Sequence, residues 1–274
     1  MGWIEYAPLW LIALAMMALL ILAHEVGRAF ARRARAGAEK REEPGYLVSS
    51  ALALLGLLMA FTFAAAQERF RLRENLVVAE ANSLGTTYLR VELLDAAARG
   101  DLGQLLLRYA ELRVADQPAR PAAGAAGARA QAALQARIWT SLDRALRTNT
   151  QTTVDLALIN TVNETFDLAA ARRAAREQRV PVAVLRTLVF SAMAVALMLG
   201  FVGGRQPRQF GVFAASNLLL TLAFCLILDL DRPLSGRVQV LDAPMQRALE
   251  AIRQAEAARP APVPPKPAPA SPSP

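Results

Sequence analysis

The sequence predicts an all-α membrane protein: four transmembrane helices, with a helical extramembrane region inserted between the second and third and long helices continuing out of the membrane. Three observations carry this. Apolar residues make up 54% of the 274 residues and charged residues 20%, yet the two are segregated into blocks rather than mixed. Four of the apolar blocks are long enough to approach or cross a hydrocarbon core about 30 Å thick. Between the second and third blocks, apolar residues recur at three- and four-residue intervals, the pattern of helices with one buried face.

The net charge is +8, and of the 31 basic residues only Lys40 and Lys266 are lysines. Most of the arginines flank apolar spans. With no interleaving of aromatic and basic residues and no zinc-ligand spacing, nucleic acid is not an expected partner. The heavy use of Ala and Arg is that of a bacterial genome rich in G and C. The one cysteine, Cys225, lies inside an apolar run, so no intrachain disulfide framework is available.

The first span covers about residues 8–24, with Trp3, Tyr6 and Trp10 as interfacial aromatics. A signal peptide would begin with positive charge and end at a small-residue cleavage site. This segment begins with Glu5 and runs into His24-Glu25-Val26-Gly27-Arg28, so it reads as a retained helix. A zinc motif at His24-Glu25 would need a second histidine, and the chain has one. Glu25 and Arg28 read instead as a helical pair at three-residue spacing. The linker that follows is basic, through Arg28, Arg32, Arg33, Arg35, Lys40 and Arg41.

The second span, 46–66, is free of charge, and its Gly56 and alanines offer small surfaces for helix contact in lipid. Nothing stops this helix until Gly85. Beyond the span, Phe70, Val77, Leu84 and Val91 recur every seven residues, with Ala81 and Tyr88 between them. Arg73, Glu80 and Thr87 ride the rim of that stripe. Glu80 reads either as a structural ion pair to another helix or as a carboxylate lining a pathway.

Leu102, Leu105, Leu106, Tyr109 and Leu112 mark a further helix, and residues 114–130, rich in Pro, Gly and Ala, read as a flexible loop. From about 132 to 178 a single seam is expected through Ile138, Leu142, Ala145, Asn149, Thr152, Leu156, Ile159, Asn163 and Phe166. Its polar members either fix register or line a pathway. Residues 67–181 thus form the helical extramembrane region, and Pro181 ends it.

The second membrane pair covers about 182–203 and 210–229, joined by the turn Arg205-Gln206-Pro207-Arg208. Ser216 and Asn217, polar within hydrocarbon, are expected to hydrogen-bond between helices. The fourth span ends at Asp229, Asp231 and Arg232, where Pro233 stops the helix. This acidic turn is expected at the membrane boundary, its carboxylates paired with Arg232, Arg73, Arg90 or Arg186. Two carboxylates alone are too few to hold a divalent ion, and no cofactor is expected. Residues 231–258 continue as the acidic turn, a short possible strand at 237–240 and an amphipathic helix. The Pro-rich tail, 259–274, reads as disordered.

Charge bias places the two short connections in the cytoplasm and the helical region outside. The vote is close, because Arg69, Arg71 and Arg73 flank the second span and Arg172, Arg173, Arg176 and Arg179 the third.

Several of these elements together resemble the bacterial bestrophin-like family of membrane proteins: Glu80-Ala81-Asn82, Tyr88-Leu89-Arg90, Leu107-Arg108-Tyr109 and Asp229-Leu230-Asp231-Arg232-Pro233 with Gly236. His24-Glu25-Val26-Gly27-Arg28 fits that family's first helix end, and the resemblance reaches about Ala251. It implies distant similarity to bestrophins, four-span pentameric anion channels whose large helical region is cytosolic. It therefore implies a homo-oligomer, a pentamer, in the bacterial cytoplasmic membrane, with residues 67–181 on the side opposite to the one charge bias favours.

Two functions follow. The first is an oligomeric ion channel, an anion channel by the resemblance, with Leu57, Leu58 and Phe61 lining its pore. The second is a non-conducting membrane scaffold or sensor whose helical region binds a partner. Catalysis is not expected: there is one histidine, no Gly-rich phosphate loop after a strand and no nucleophile motif.

Overall fold

The computed structural model describes residues 7–34, 45–116, 124–148, 152–203, 208–232, 240 and 242–259. Several expectations lie outside the described residues: Trp3 and Tyr6, the linker from Arg35 to Pro44, loop residues 117–123, Asn149, the turn at 204–207, Pro233 to Gly236, the possible strand at 237–239 and the tail from 260. Among the described residues there are eight helices and no strand.

In chain order the helices are α1 (Leu9–Ala34), α2 (Gly45–Val91), α3 (Ala96–Ala115), α4 (Gly124–Thr148), α5 (Thr152–Glu177), α6 (Val182–Gly203), α7 (Arg208–Asp231) and α8 (Ala243–Ala257). Four stretches are long and apolar enough to cross a membrane: α1, α2, α7 and the segment formed by α5 and α6. The chain forms two compact units. One joins Met1–Glu74 to Arg173–Val240, and the other joins Asn75–Arg172 to Leu241–Pro274. Helices α2 and α5 each contribute to both.

In the first unit α1 packs along α6 and against α7. Its apolar core has Met16, Leu20, Leu55, Leu188, Val195 and Phe213 among its buried members. Glycine makes the closest approach possible. A Cβ on Gly27 would lie 2.1 Å from the Leu197 carbonyl oxygen, and one on Gly200 would lie 2.0 Å from that of His24. In lipid, where burial of apolar surface does not drive helices together, such backbone contact does much of the work. Gly56 does not share this role, because nothing comes within 4 Å of its Cβ position. It sits on the side of α2 that this unit leaves uncovered.

The second unit has its own core. From Val77 onward the stripe of α2 is buried as its spacing predicts: Val77, Ala81, Leu84, Tyr88 and Val91 are each at most 4% exposed, whereas Phe70, its first expected member, is half-buried. Leu102, Leu106 and Tyr109 of α3, Ile138 and Leu142 of α4, and Met245, Leu249 and Ile252 of α8 close around it. Asp95 caps α3, its Oδ1 accepting from the N–H groups of Ala97 and Ala98 at 2.9 and 3.0 Å.

Two expectations are corrected here. The loop is shorter than 114–130: α3 runs to Ala115 and α4 begins at Gly124, since the alanines from 125 onward are strong helix formers. The single seam across 132–178 is two helices with different phases. On α4 it holds, with Ile138, Leu142 and Ala145 buried. On α5 the buried residues of this unit are Leu158, Thr161, Val162, Thr165, Ala169 and Arg172, with the expected Ile159 and Phe166 packed partly against the core, while Leu156 is 59% exposed and Asn163 is exposed. The buried face of α5 is thus offset from the one that continuing the spacing of α4 would give.

Candidate functional site

The sequence-predicted residues fall into four places. The first is the membrane stretch of α2. Leu54, Leu57 and Phe61 follow one another at three- and four-residue spacing and are 58%, 51% and 65% exposed. Leu55, Thr62 and Ala66 are buried on the opposite side. Leu58 belongs with that side, packed against the core of the first unit. Of the three residues expected to line a pore, Leu57 and Phe61 therefore share the uncovered face and Leu58 does not. The most apolar stretch of α2 is only 17% buried, against 44% for that of α7.

The second place is the end of α7. Asp229, Asp231 and Arg232 are all buried. Arg73 is brought there, but it does not serve as a partner for a carboxylate in the expected way. Its Nε donates to the Ala175 carbonyl (3.2 Å), Nη1 to that of Leu230 (3.1 Å), and Nη2 to those of Gln178 (2.9 Å) and Asp231 (3.5 Å). These are carbonyls at the C-terminal ends of α5 and α7, which the helices themselves leave without donors and which carry the negative end of the helix dipole. A guanidinium with five N–H donors in a rigid fork suits several of them at once.

The turn is tied further by Arg179, which donates to the Asp231 carbonyl at 2.9 Å, and by the Val180 N–H, which donates to the Asp231 carboxylate at 2.8 Å. Arg232 donates to the Ala7 carbonyl at 2.9 Å, fastening the end of α7 beside the start of α1. Arg186 is exposed on α6. The acidic turn is thus a junction of helix ends. Among the described residues no group of three or more His, Cys, Asp or Glu is placed to hold a metal ion.

The third place is centred on Glu80, which is 0% exposed. Arg113 of α3 grips it in a bidentate fashion, Nε to Oε1 and Nη2 to Oε2, the latter at 3.0 Å. Arg172 of α5 donates from Nη1 to Oε2 at 3.1 Å. The network extends outward. Arg113 also donates to Asp116 (3.0 Å) and to Gln131 of α4 (3.2 Å), and Arg172 donates to Asp242 just before α8. One carboxylate thereby ties together α2, α3 and α5 directly, and α4 and the approach to α8 indirectly.

Burial alone would lower the pKa of Arg113, but the hydrogen bond and charge of Glu80 outweigh it and hold the guanidinium above its ordinary value. Of the two readings open for Glu80, the geometry matches the structural ion pair. Sequence reasoning missed Arg113, Arg172 and Asp242. The first two were detectable: Arg113 extends the stripe of Leu102, Leu106 and Tyr109, and Arg172 extends that of Leu158, Val162, Thr165 and Ala169.

The fourth place is a polar groove between α2 and α5 with a volume of about 610 Å³, lined by Asn82, Ser83, Thr86, Arg90, Asn160 and Glu164 among others. Arg90 leans across it to donate to the Ala157 carbonyl at 2.6 Å. Beneath it the hydroxyls of Ser83 and Thr87 meet that of Thr165 at 2.9 and 3.0 Å. Arg90 is thus a groove residue.

Comparison with known proteins agrees with this architecture. A bacterial bestrophin homologue from Klebsiella pneumoniae superposes with a TM-score of 0.65 at 13% identity, covering 92% of this chain and all (100%) of the other. A variant of the Klebsiella pneumoniae protein carrying one mutation gives 0.66 at 12% identity, covering 88% and 98%. At such identities the likeness is one of fold. No curated protein matches the sequence. The family is carried by the sequence match itself, in which residues 7–245 fit the bestrophin-like domain. With that match spanning most of its length, the chain belongs to the bestrophin-like family.

Proposed function

We propose that this membrane protein assembles into a homo-oligomeric ion channel in the bacterial cytoplasmic membrane, a pentamer of the kind the resemblance to bestrophins implies, with α2 lining the central path. The observation that supports it is the uncovered face of α2. Leu54, Leu57 and Phe61 stand out from the span that its own chain covers least. A ring of such residues around an axis forms an apolar constriction of the kind that gates by dewetting. Arg90, in a groove of small polar side chains, supplies the positive charge that an anion path requires. Arg73 and Glu80 act as fasteners that hold the path's helices, and catalysis has no part in the reading.

Flux of chloride and of potassium from liposomes containing the purified oligomer is the test. Phe61→Ala is expected to raise flux several-fold by widening the constriction. Leu219→Ala, at an equally exposed position on α7, is expected to leave it unchanged. An assembled oligomer that passes neither ion refutes the reading. One observation favours the second reading, a partner-binding scaffold: Leu89 and Leu93, beyond the membrane stretch of α2, are 69% and 63% exposed. Crosslinking from these positions in intact cells to a different protein, together with absent flux, would establish it.

A further inference from the structure

Among the described residues, three side chains of the first unit carry buried polar atoms with no hydrogen-bond partner: His24 at Nδ1 on α1, and Asn217 at Nδ2 and Thr221 at Oγ1 on α7. All three are more than nine-tenths buried, at 8%, 1% and 2% exposure. Two contacts fix the order of these residues along the two helices. Arg232 reaches the Ala7 carbonyl at one end of the α1–α7 contact, and the His24 ring stacks on Phe213 at the other, with centroids 3.5 Å apart. The two helices are therefore antiparallel. Asn217 and Thr221 follow Phe213 by one and two turns, each about 6 Å deeper along α7.

The expected interhelical hydrogen bond from the Asn217 amide nitrogen is not made, and the chemistry of the three groups is complementary. The main chain at Ala196 of α6 acts on the His24 ring. A neutral ring protonated at its other nitrogen carries a lone pair at Nδ1. The Asn217 amide nitrogen is a donor, and the Thr221 hydroxyl is both donor and acceptor. Unmet polar atoms in hydrocarbon are costly, buried polar groups of this kind are met by ordered water, and ionisable residues inside a membrane bundle mark proton and ion pathways.

We propose that His24, Asn217 and Thr221 form a hydrated proton-binding site inside the single chain, separate from the uncovered face of α2. A file of waters, rather than a single one, runs from Nδ1 past the Asn217 amide to the Thr221 hydroxyl two turns along α7. A hydronium arriving along it transfers its proton to Nδ1, leaving a neutral water and an imidazolium with N–H groups at both ring nitrogens. The charged groups acting on the ring are Glu25 and Arg28 of its own helix. At this level α6 presents Ala196 and Gly200, and α7 presents Phe213. The remaining charged residues of these helices lie along the chain from it: Arg186 ten residues before Ala196, Arg208 at the start of α7, and Asp229 and Asp231 at its end. The membrane stretch of α2, 46–66, carries none. The site does not depend on the oligomer conducting ions.

His24 is the one histidine of the chain, so a protein purified on a histidine-free tag and labelled with ¹⁵N-histidine reports a single imidazole. Solid-state NMR in lipid vesicles is expected to show one protonated and one unprotonated ring nitrogen at neutral pH. It is expected to show magnetisation transfer from water to the ring, and an Nδ1 resonance that shifts as pH is lowered. Asn217→Leu combined with Thr221→Val is expected to reduce the water transfer several-fold. A wild-type ring that receives no transfer, or whose nitrogens do not shift with pH, overturns the proposal without need of any variant. So does transfer that the double substitution leaves unchanged.

Discussion

Glu80 shows how one residue can specify a helical unit. A carboxylate this deep is tolerable only when its charge is met, and two guanidinium groups on different helices meet it. Removing one member leaves the others buried and uncompensated, a loss of about 3–5 kcal/mol for pairs of this kind. Glu80→Gln is accordingly expected to lower stability by that amount in chemical unfolding of the detergent-solubilised protein. Glu164→Gln, at an exposed position in the groove, is expected to stay within about 0.5 kcal/mol.

A second residue gives a pH dependence. The Tyr88 hydroxyl donates to Glu256 at 2.9 Å, and Arg259 meets Tyr88 at 3.3 Å and Glu92 at 2.5 Å. Burial first, then the hydrogen bond and charge of Glu256, push the Tyr88 phenol above its ordinary value of 10.0. A raised pKa means that the folded state holds this proton more tightly than the unfolded state does. The contribution to stability is complete below about pH 10 and is lost as pH rises above it. Unfolding curves are expected to show stability falling above pH 10 less steeply in Tyr88→Phe than in the parent. Glu80 and Tyr88 were both visible in the sequence as members of the α2 stripe. Arg113 and Arg172 were visible as extensions of buried stripes, but their pairing with Glu80, and that of Glu256 with Tyr88, was not, because only the tertiary fold decides which helix faces meet.

At the scale of elements, close backbone approach separates two glycines that composition makes look alike. Gly200→Ala drives a Cβ into the main chain of His24, which cannot yield without parting α1 from α6. A loss of about 1–3 kcal/mol is expected, as for overpacking in a filled core. Gly56→Ala meets open space and removes a helix-weakening residue, so a gain of up to about 1 kcal/mol is expected. Melting temperatures of the two variants in one detergent compare these directly. Span positions and the α2 stripe were legible because period and length are local properties. The phase of α5 was not, because its apolar and polar residues are spread over several faces and its neighbours decide which face is buried. The turn after α7 was legible as a helix end. That Arg73 would serve main-chain carbonyls there was not, since carbonyl positions leave no mark in side-chain spacing.

At the scale of the whole molecule, four spans leave a large apolar surface, and lipid alone could cover it. Exposure therefore cannot by itself tell a pore face from a lipid face: Phe61 on α2 and Leu219 on α7 are 65% and 67% exposed. Symmetry can. In a ring of identical chains, a residue on the axis-facing side of a central helix converges on its own counterparts, while a lipid-facing one diverges from them. With Cys225 replaced by Ser, Phe61→Cys is expected to form crosslinked ladders up to the full oligomer when membranes are treated with a short bifunctional thiol reagent. Leu219→Cys under the same treatment is expected to stay monomeric. Ladders from Leu219→Cys and none from Phe61→Cys would move the axis from α2 to α7 and, with it, the path through the protein.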